Sequence, residues 1–126
     1  MSARVLVTGS RNWTDKSTVY RALFQAWLSL GNDIVVVHGA CPAGADRLAS
    51  EWIAGWPVTG FRGVAEEPHP ASWATHGRAA GPLRNEHMVG LGANLCLAFI
   101  RDSSRGASHC ARLAEAAGIP VRRFVA

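Results

Sequence analysis

Four consecutive β-branched residues, Ile34-Val35-Val36-Val37, lie between Asn32-Asp33 and His38-Gly39. An apolar run without alternation is the mark of a strand covered on both faces, and such strands belong to parallel sheets with helices above and below. A second run at 94–100, ending Leu95-Cys96-Leu97-Ala98-Phe99-Ile100, has the same character. The rest of the chain alternates around these two. A short strand at 4–8 ends in Gly9-Ser10-Arg11. Thr14 or Asp15 then caps a helix over 16–30 that Gly31-Asn32 ends. The loop 39–46 turns into a helix carrying Leu48, Ala49, Trp52 and Ile53. A weaker strand at 57–61 reads as an edge, and 63–81 reads as irregular, broken by Pro68, Pro70, Gly77 and Gly81. A helix over 82–91 with Pro82 at its first position, the strand 94–100, a helix over 107–117 ended by Gly118, and a strand at 121–125 complete the pattern. Strands and helices in alternation with short joins predict a three-layer α/β sandwich. Its five-stranded parallel sheet would have right-handed crossovers. No repeat or linker divides residues 1–126, so the expectation is one domain.

Composition agrees with that expectation and narrows it. The chain has 126 residues, 48% hydrophobic and 17% charged, enough apolar material for a core. No apolar run approaches the roughly 20 residues of a membrane span, and no signal-peptide pattern opens the chain. The expected setting is cytoplasmic. Cys41, Cys96 and Cys110 are odd in number and lack C-x-x-C spacing, so they read as reduced thiols. Lysine and arginine total 13, and Lys16 is the one lysine, which leaves 13 − 1 = 12 arginines. Arginine offers a planar fork suited to phosphate and carboxylate, although codon bias produces the same excess. The net charge of +4 is mild and no basic run occurs, so the footprint of a duplex-binding protein is missing.

Ligands of open parallel sheets bind beyond the carboxyl ends of the strands, where strand order reverses. Three strand ends in this chain carry loops suited to anions. Gly9-Ser10-Arg11 offers a tight turn, a hydroxyl and a charged fork. Gly39, Gly44 and Ala45 clear space above a helix N-terminus whose free N–H groups attract phosphate, and Asp46 can hold a sugar hydroxyl or base edge or simply cap the helix. Ser104, Arg105 and Gly106 repeat the recipe after the fourth strand, and Arg84 with Asn85 adds a further charged group after Pro82. The Lys-Ser/Thr of a Walker A loop and the G-x-G-x-x-G spacing are both absent.

Acid–base chemistry would need a carboxylate, and Asp46 and Glu86 are the two near this mouth, Glu86 reading more readily as a helix-dipole group. His38 reads as a satisfied core histidine. His109 and Cys110 point to different helix faces and lack partners at zinc spacing, so no metal site is expected, although magnesium can accompany a phosphate ligand. Trp27, Trp52 and Trp56 read as sheet-covering core, whereas Trp73, in the irregular stretch ahead of the Arg84 helix, could stack on a base or cover the site. The first helix carries Val19, Leu23, Ala26 and Leu30 on one stripe and Tyr20, Phe24 and Trp27 on the next. So wide an apolar surface predicts a homo-oligomer through that helix.

In this order, Gly9-Ser10-Arg11, Gly39 through Asp46, Pro82-Leu83-Arg84-Asn85 and Ser104-Arg105-Gly106 resemble the SLOG superfamily. Within it they look most like the small YspA-like branch with the domain label DUF2493. His69-Pro70-Ala71-Ser72-Trp73 and Gly77-Arg78-Ala79-Ala80-Gly81 resemble the same branch, and the likeness covers nearly the whole chain. The resemblance implies a Rossmann-like fold of strand order 3-2-1-4-5 and a site for a nucleotide or nucleotide-derived ligand. The related LOG phosphoribohydrolases use an arginine, which Arg84 matches, and a glutamate in a glycine-rich motif. Here Ser103-Ser104-Arg105-Gly106-Ala107-Ser108-His109 replaces that motif and no glutamate falls in place. The DprA relatives, which bind single-stranded DNA, share the Gly-Ser-Arg turn and an Arg-Asn segment but lie in longer chains. The expectation is therefore nucleotide binding as a sensor or carrier. Cleavage or transfer at a nucleotide's N-glycosidic bond is the alternative, and single-stranded nucleic-acid binding a second one.

Overall fold

A computed structural model of the chain describes residues 2–55 and 63–126. The element order is β1 (Ala3–Gly9), α1 (Lys16–Ser29), β2 (Ile34–His38), α2 (Gly44–Gly55), β3 (Val64–Pro68), α3 (Trp73–His76), α4 (Ala80–Gly90), β4 (Leu95–Ile100), α5 (Arg105–Ala116) and β5 (Val121–Val125). A single 3₁₀ turn, Gly77–Ala79, joins α3 to α4. The five strands form one parallel sheet in the order β3-β2-β1-β4-β5. This is the three-layer Rossmann-like sandwich, with the reversal of strand order between β1 and β4.

Residue alternation on the two central strands decides which helix covers which face. Val5, Val7, Val36, Leu97 and Phe99 point to one side and pack against Val19, Leu23 and Ala26 of α1 and Ala45, Ala49 and Trp52 of α2. Leu6, Val37 and Cys96 point to the other and meet Met88 and Val89 of α4 and Cys110 and Ala114 of α5. Both faces are thus dry, which is why these strands read as unbroken apolar runs. Cys96 and Cys110 are unpaired thiols in this second layer, and burial pushes them up to about 12 and about 11, out of reach of nucleophilic chemistry at neutral pH.

The ends of α1 follow from its flanking residues. The Thr18 amide and hydroxyl donate to the Asp15 carboxylate at 3.1 and 2.6 Å, and Gly31 and Asn32 leave the helix at φ 85° and 62°. On α1, Val19, Leu23 and Trp27 are buried, Tyr20 and Phe24 are half-buried against the same core, and Leu28 is exposed.

The edge beyond β2 departs from expectation. The expected strand 57–61 lies outside the described residues, and the strand that pairs with β2 is Val64–Pro68, inside the stretch read as irregular. Its Glu66-Glu67-Pro68 sequence hides it, because an edge strand with exposed faces lacks an apolar run. Charge pairing holds it in place instead. Arg4 donates both arms of its fork to Glu67 at 2.9 and 2.8 Å, and His38 Nε2 lies 2.6 Å from Glu66. The Ala40 amide donates to His38 Nδ1, so the ring proton faces Glu66, and His38 is the satisfied core histidine that was expected. Helix α4 begins two residues before Pro82, which occupies the first turn where no helical amide donor is needed. Helix α5 likewise begins at Arg105 rather than 107.

The Arg4 fork and His69 hold the Glu67 carboxyl at about 2 instead of its ordinary 4.5. A depressed folded value contributes stability above the unfolded value and loses it as pH falls toward the folded one. Thermal melts between pH 4.5 and about 2 are therefore expected to show a steeper loss of stability for the wild type than for Glu67→Gln.

Candidate functional site

At the carboxyl ends of β1, β2 and β4 an open cleft of ≈ 1610 Å³ runs between α2 and α5, with α3 and the start of α4 along its rim. This is the edge where parallel sheets place ligands, and it lies at the switch between β1 and β4.

The floor is set by close backbone packing. A Cβ on Gly9 would collide with Ala45 Cβ and press on the Phe99 carbonyl, and Gly44, at φ 72°, has no room for one because of the Ser10 carbonyl. Ser10 is buried, and its Oγ accepts from the Arg101 amide at 2.8 Å, tying the exits of β1 and β4 together. Gly9 touches the cleft, whereas Ser10, Gly44 and Ala45 lie beneath it and shape it without lining it. Of the loop residues with positive φ, Ala40 (56°), Asp102 (53°) and Ser103 (52°) all border the cleft, although none is glycine. Left-handed backbone of this kind is costly and concentrates at functional sites.

Arg84 reaches across from α4. Its Nη1 donates to the Gly39 carbonyl at 2.6 Å and its Nε to Asn85 Oδ1 at 2.9 Å. Asn85, itself buried, donates through Nδ2 to the Gly106 carbonyl at 3.4 Å. A side chain at Gly39 would overlap the guanidinium of Arg84 in this position. Arg11 lies over the Trp73 ring, 5.6 Å from its centroid, and Trp73 is half-exposed at the rim. Arg105 opens α5 with no ion pair among the described residues, and Gly106 beside it faces open space.

Asp46 is the anionic member. It is 6% exposed in the first turn of α2, and its Oδ2 accepts from the Cys41 amide at 3.2 Å while its Oδ1 has no partner. Burial raises its carboxyl above the ordinary 3.8, against the pull of His38, the Cys41 amide and Arg84. Glu86 is not brought here. It sits mid-way along α4, past the first turn where it would favour the helix dipole, and faces a separate shallow pocket with Gly92 and Gly118 at the amino ends of β4 and β5.

Among the lining residues that the sequence motifs do not single out, three are basic: Arg101, His109 and Arg112. Arg101 donates to the Asn12 carbonyl at 3.0 Å and borders the cleft. His109, which lacks partners at zinc spacing, and Arg112 line it as well. With Arg105 they sit at i, i+4 and i+7, the spacing of one helix face. That signal was present in the sequence. His109 Nδ1 is buried and unpartnered. No group of three or more His, Cys, Asp or Glu among the described residues is arranged to hold a metal ion. Among the described residues no helix is long and apolar enough to cross a membrane.

A five-stranded parallel sheet of this strand order between two helical layers defines a Rossmann-like domain. Residues 3–76 match the model of the YspA, cpYpsA-related SLOG family (YAcAr), and the chain belongs to that family. It is 48% identical over 121 residues to the "Gene 61 protein" of Mycobacterium phage D29, covering 96% of this chain and 95% of that protein. No solved structure matches the chain.

A carboxylate raised by burial destabilises the fold as pH climbs above its unfolded value, because the folded state then holds the extra proton. Asp46→Asn keeps the shape and the Cys41 contact without the charge. The variant is expected to melt a few degrees higher than wild type at neutral pH, with the gap closing as pH falls toward 3.8, as scanning calorimetry would show.

Proposed function

We propose that the cleft binds a nucleotide or nucleotide-derived ligand, as a sensor or carrier. The observation that carries this reading is the meeting of unlike groups in one cleft. Arg11, Arg84, Arg101, Arg105 and Arg112 outnumber Asp46 and Asp102, and Asp46 has a buried carboxylate oxygen without a hydrogen-bond partner. An anionic part of the ligand would lie against Arg84, Arg105 and the open amide end of α5, since cationic forks and helix N-termini both favour phosphate. Asp46 Oδ1 would accept from a ribose hydroxyl or a base amine, and Trp73 offers a ring face for stacking. Membership of the SLOG family supports a nucleotide-related role.

A thermal-shift screen with nucleosides, nucleotides and cyclic nucleotides tests the reading. A ligand at 100 times its Kd stabilises the folded state by about 2.7 kcal/mol. At least one nucleotide is expected to raise Tm in the wild type, with the shift reduced or lost in Arg84→Ala and Arg105→Ala. A screen in which nothing shifts the wild type, or in which both variants respond as it does, rejects the site.

The raised carboxyl of Asp46 favours one further reading, cleavage at the N-glycosidic bond. A carboxylic acid that keeps its proton above the usual range can donate it to the departing base while a water molecule bonds to the anomeric carbon and releases its proton. Incubation with nucleoside monophosphates would then release free base, and Asp46→Asn would lose that release by 100-fold or more, on the order of general-acid contributions.

A further inference from the structure

Cys110, Ala111 and Ala114 of helix α5 are buried against the sheet and lie outside the cleft. The first turn of α5, Arg105 to Ser108, borders the cleft, and His109 and Arg112 extend its lining along the helix. Seven residues of α-helix rise about 10 Å, so the two guanidinium-bearing positions are two turns apart along one wall. Arg105 and Arg112 both make no ion pair among the described residues. Between them sits His109, whose Nδ1 is buried without a hydrogen-bond partner. Among the described residues the unpartnered buried side-chain atoms are this one and Asp46 Oδ1, and both belong to residues lining the same cleft. Buried polar atoms left without partners are rare and costly in a folded protein unless something else meets them. Two of them lie on residues of one cleft, one on Asp46 of α2 and one on His109 of α5.

We propose that Arg105, His109 and Arg112 form an elongated anion track, so that the ligand carries a diphosphate or longer phosphate chain rather than a single phosphate. A monophosphate is met at the N-terminus of α5 by Arg105 and the open amides, and it leaves His109 and Arg112 unused. A second phosphate, placed further along the helix, accepts from His109 and Arg112. Asp46, lacking a partner at Oδ1, takes the donor groups at the uncharged end. A carboxylate there also turns the chain of phosphates away from α2 and toward α5, since like charges repel. The track rests on the nucleotide reading for the identity of the uncharged end, and on the α5 wall alone for the phosphate count.

Isothermal titration with a nucleoside, its monophosphate and its diphosphate tests the track, with phosphate and pyrophosphate titrated in parallel. Wild type is expected to bind the diphosphate at least 10-fold more tightly than the monophosphate. Arg112→Ala should erase that preference while leaving monophosphate affinity within twofold, and His109→Ala should reduce it in part. Arg122→Ala, which removes an exposed arginine on β5 outside the cleft, controls for net charge and should change neither affinity. Equal affinity for monophosphate and diphosphate, or equal weakening of both by Arg112→Ala, overturns the track and leaves the nucleotide reading standing. Pyrophosphate binding that depends on Arg112 without any nucleotide binding supports the track and rejects the nucleotide reading. Absence of binding by every probe overturns both.

Discussion

At the exit of β1 backbone and side chains pack too closely to admit a Cβ, and the cleft depends on that closeness. Gly9 sits between Ala45 on α2 and Phe99 on β4, and Gly44 lies against the Ser10 carbonyl. With no side chains in the way, the start of α2 approaches the first turn of the chain at backbone distance. Ser10 fixes the other side by exchanging hydrogen bonds with the Arg101 amide and carbonyl. Three strand ends are thereby locked into one rim. Interiors pack at crystal-like density, so an added methyl here would force the rim apart rather than be absorbed.

On that rim the electrostatics are opposed by design of the chain rather than balanced. A carboxylate buried at the start of α2 loses its hydration, and the neighbouring Arg84 and the Cys41 amide recover only part of it. Arg84 meanwhile spends its donors on the Gly39 carbonyl and Asn85 instead of forming a direct ion pair. Such an arrangement leaves Asp46 Oδ1 buried without a hydrogen-bond partner and holds a cation near the carboxylate. A protein shaped for stability alone would pair these groups or replace them with apolar ones. Left-handed Ala40, Asp102 and Ser103 on the bordering loops belong to the same pattern of local cost around the cleft.

Much of this was legible because its physical cause is local. Doubly covered strands leave unbroken apolar runs, which marked β2 and β4 directly, and the glycine-rich turns after β1 and β2 marked the rim. The third strand was not legible. Glu66 and Glu67 look like loop residues, and only Arg4 and His38, distant in sequence, make them a strand. Glu86 looked like a site residue because Arg84 and Asn85 are its neighbours in the chain. A helix turns about 100° per residue, so adjacent residues face different ways, and Glu86 faces the other end of the sheet. His109 and Arg112 show the reverse, since their kinship with Arg105 is a matter of helix face and not of adjacency.

From sequence alone come the alternation of strands and helices, the parallel sheet, and the assignment of the strand exits as the business end. These follow from periodicity, turn chemistry and burial, which are written in neighbouring residues. The resemblance carried the strand order, which the structure shows directly. Only the tertiary structure decided which arginines share the cleft, that Asp46 is buried with a free oxygen, and that Ser10 and Gly44 support the floor instead of lining it. Those outcomes depend on which residues meet across distant elements, and long-range packing has no signature in any one stretch of chain.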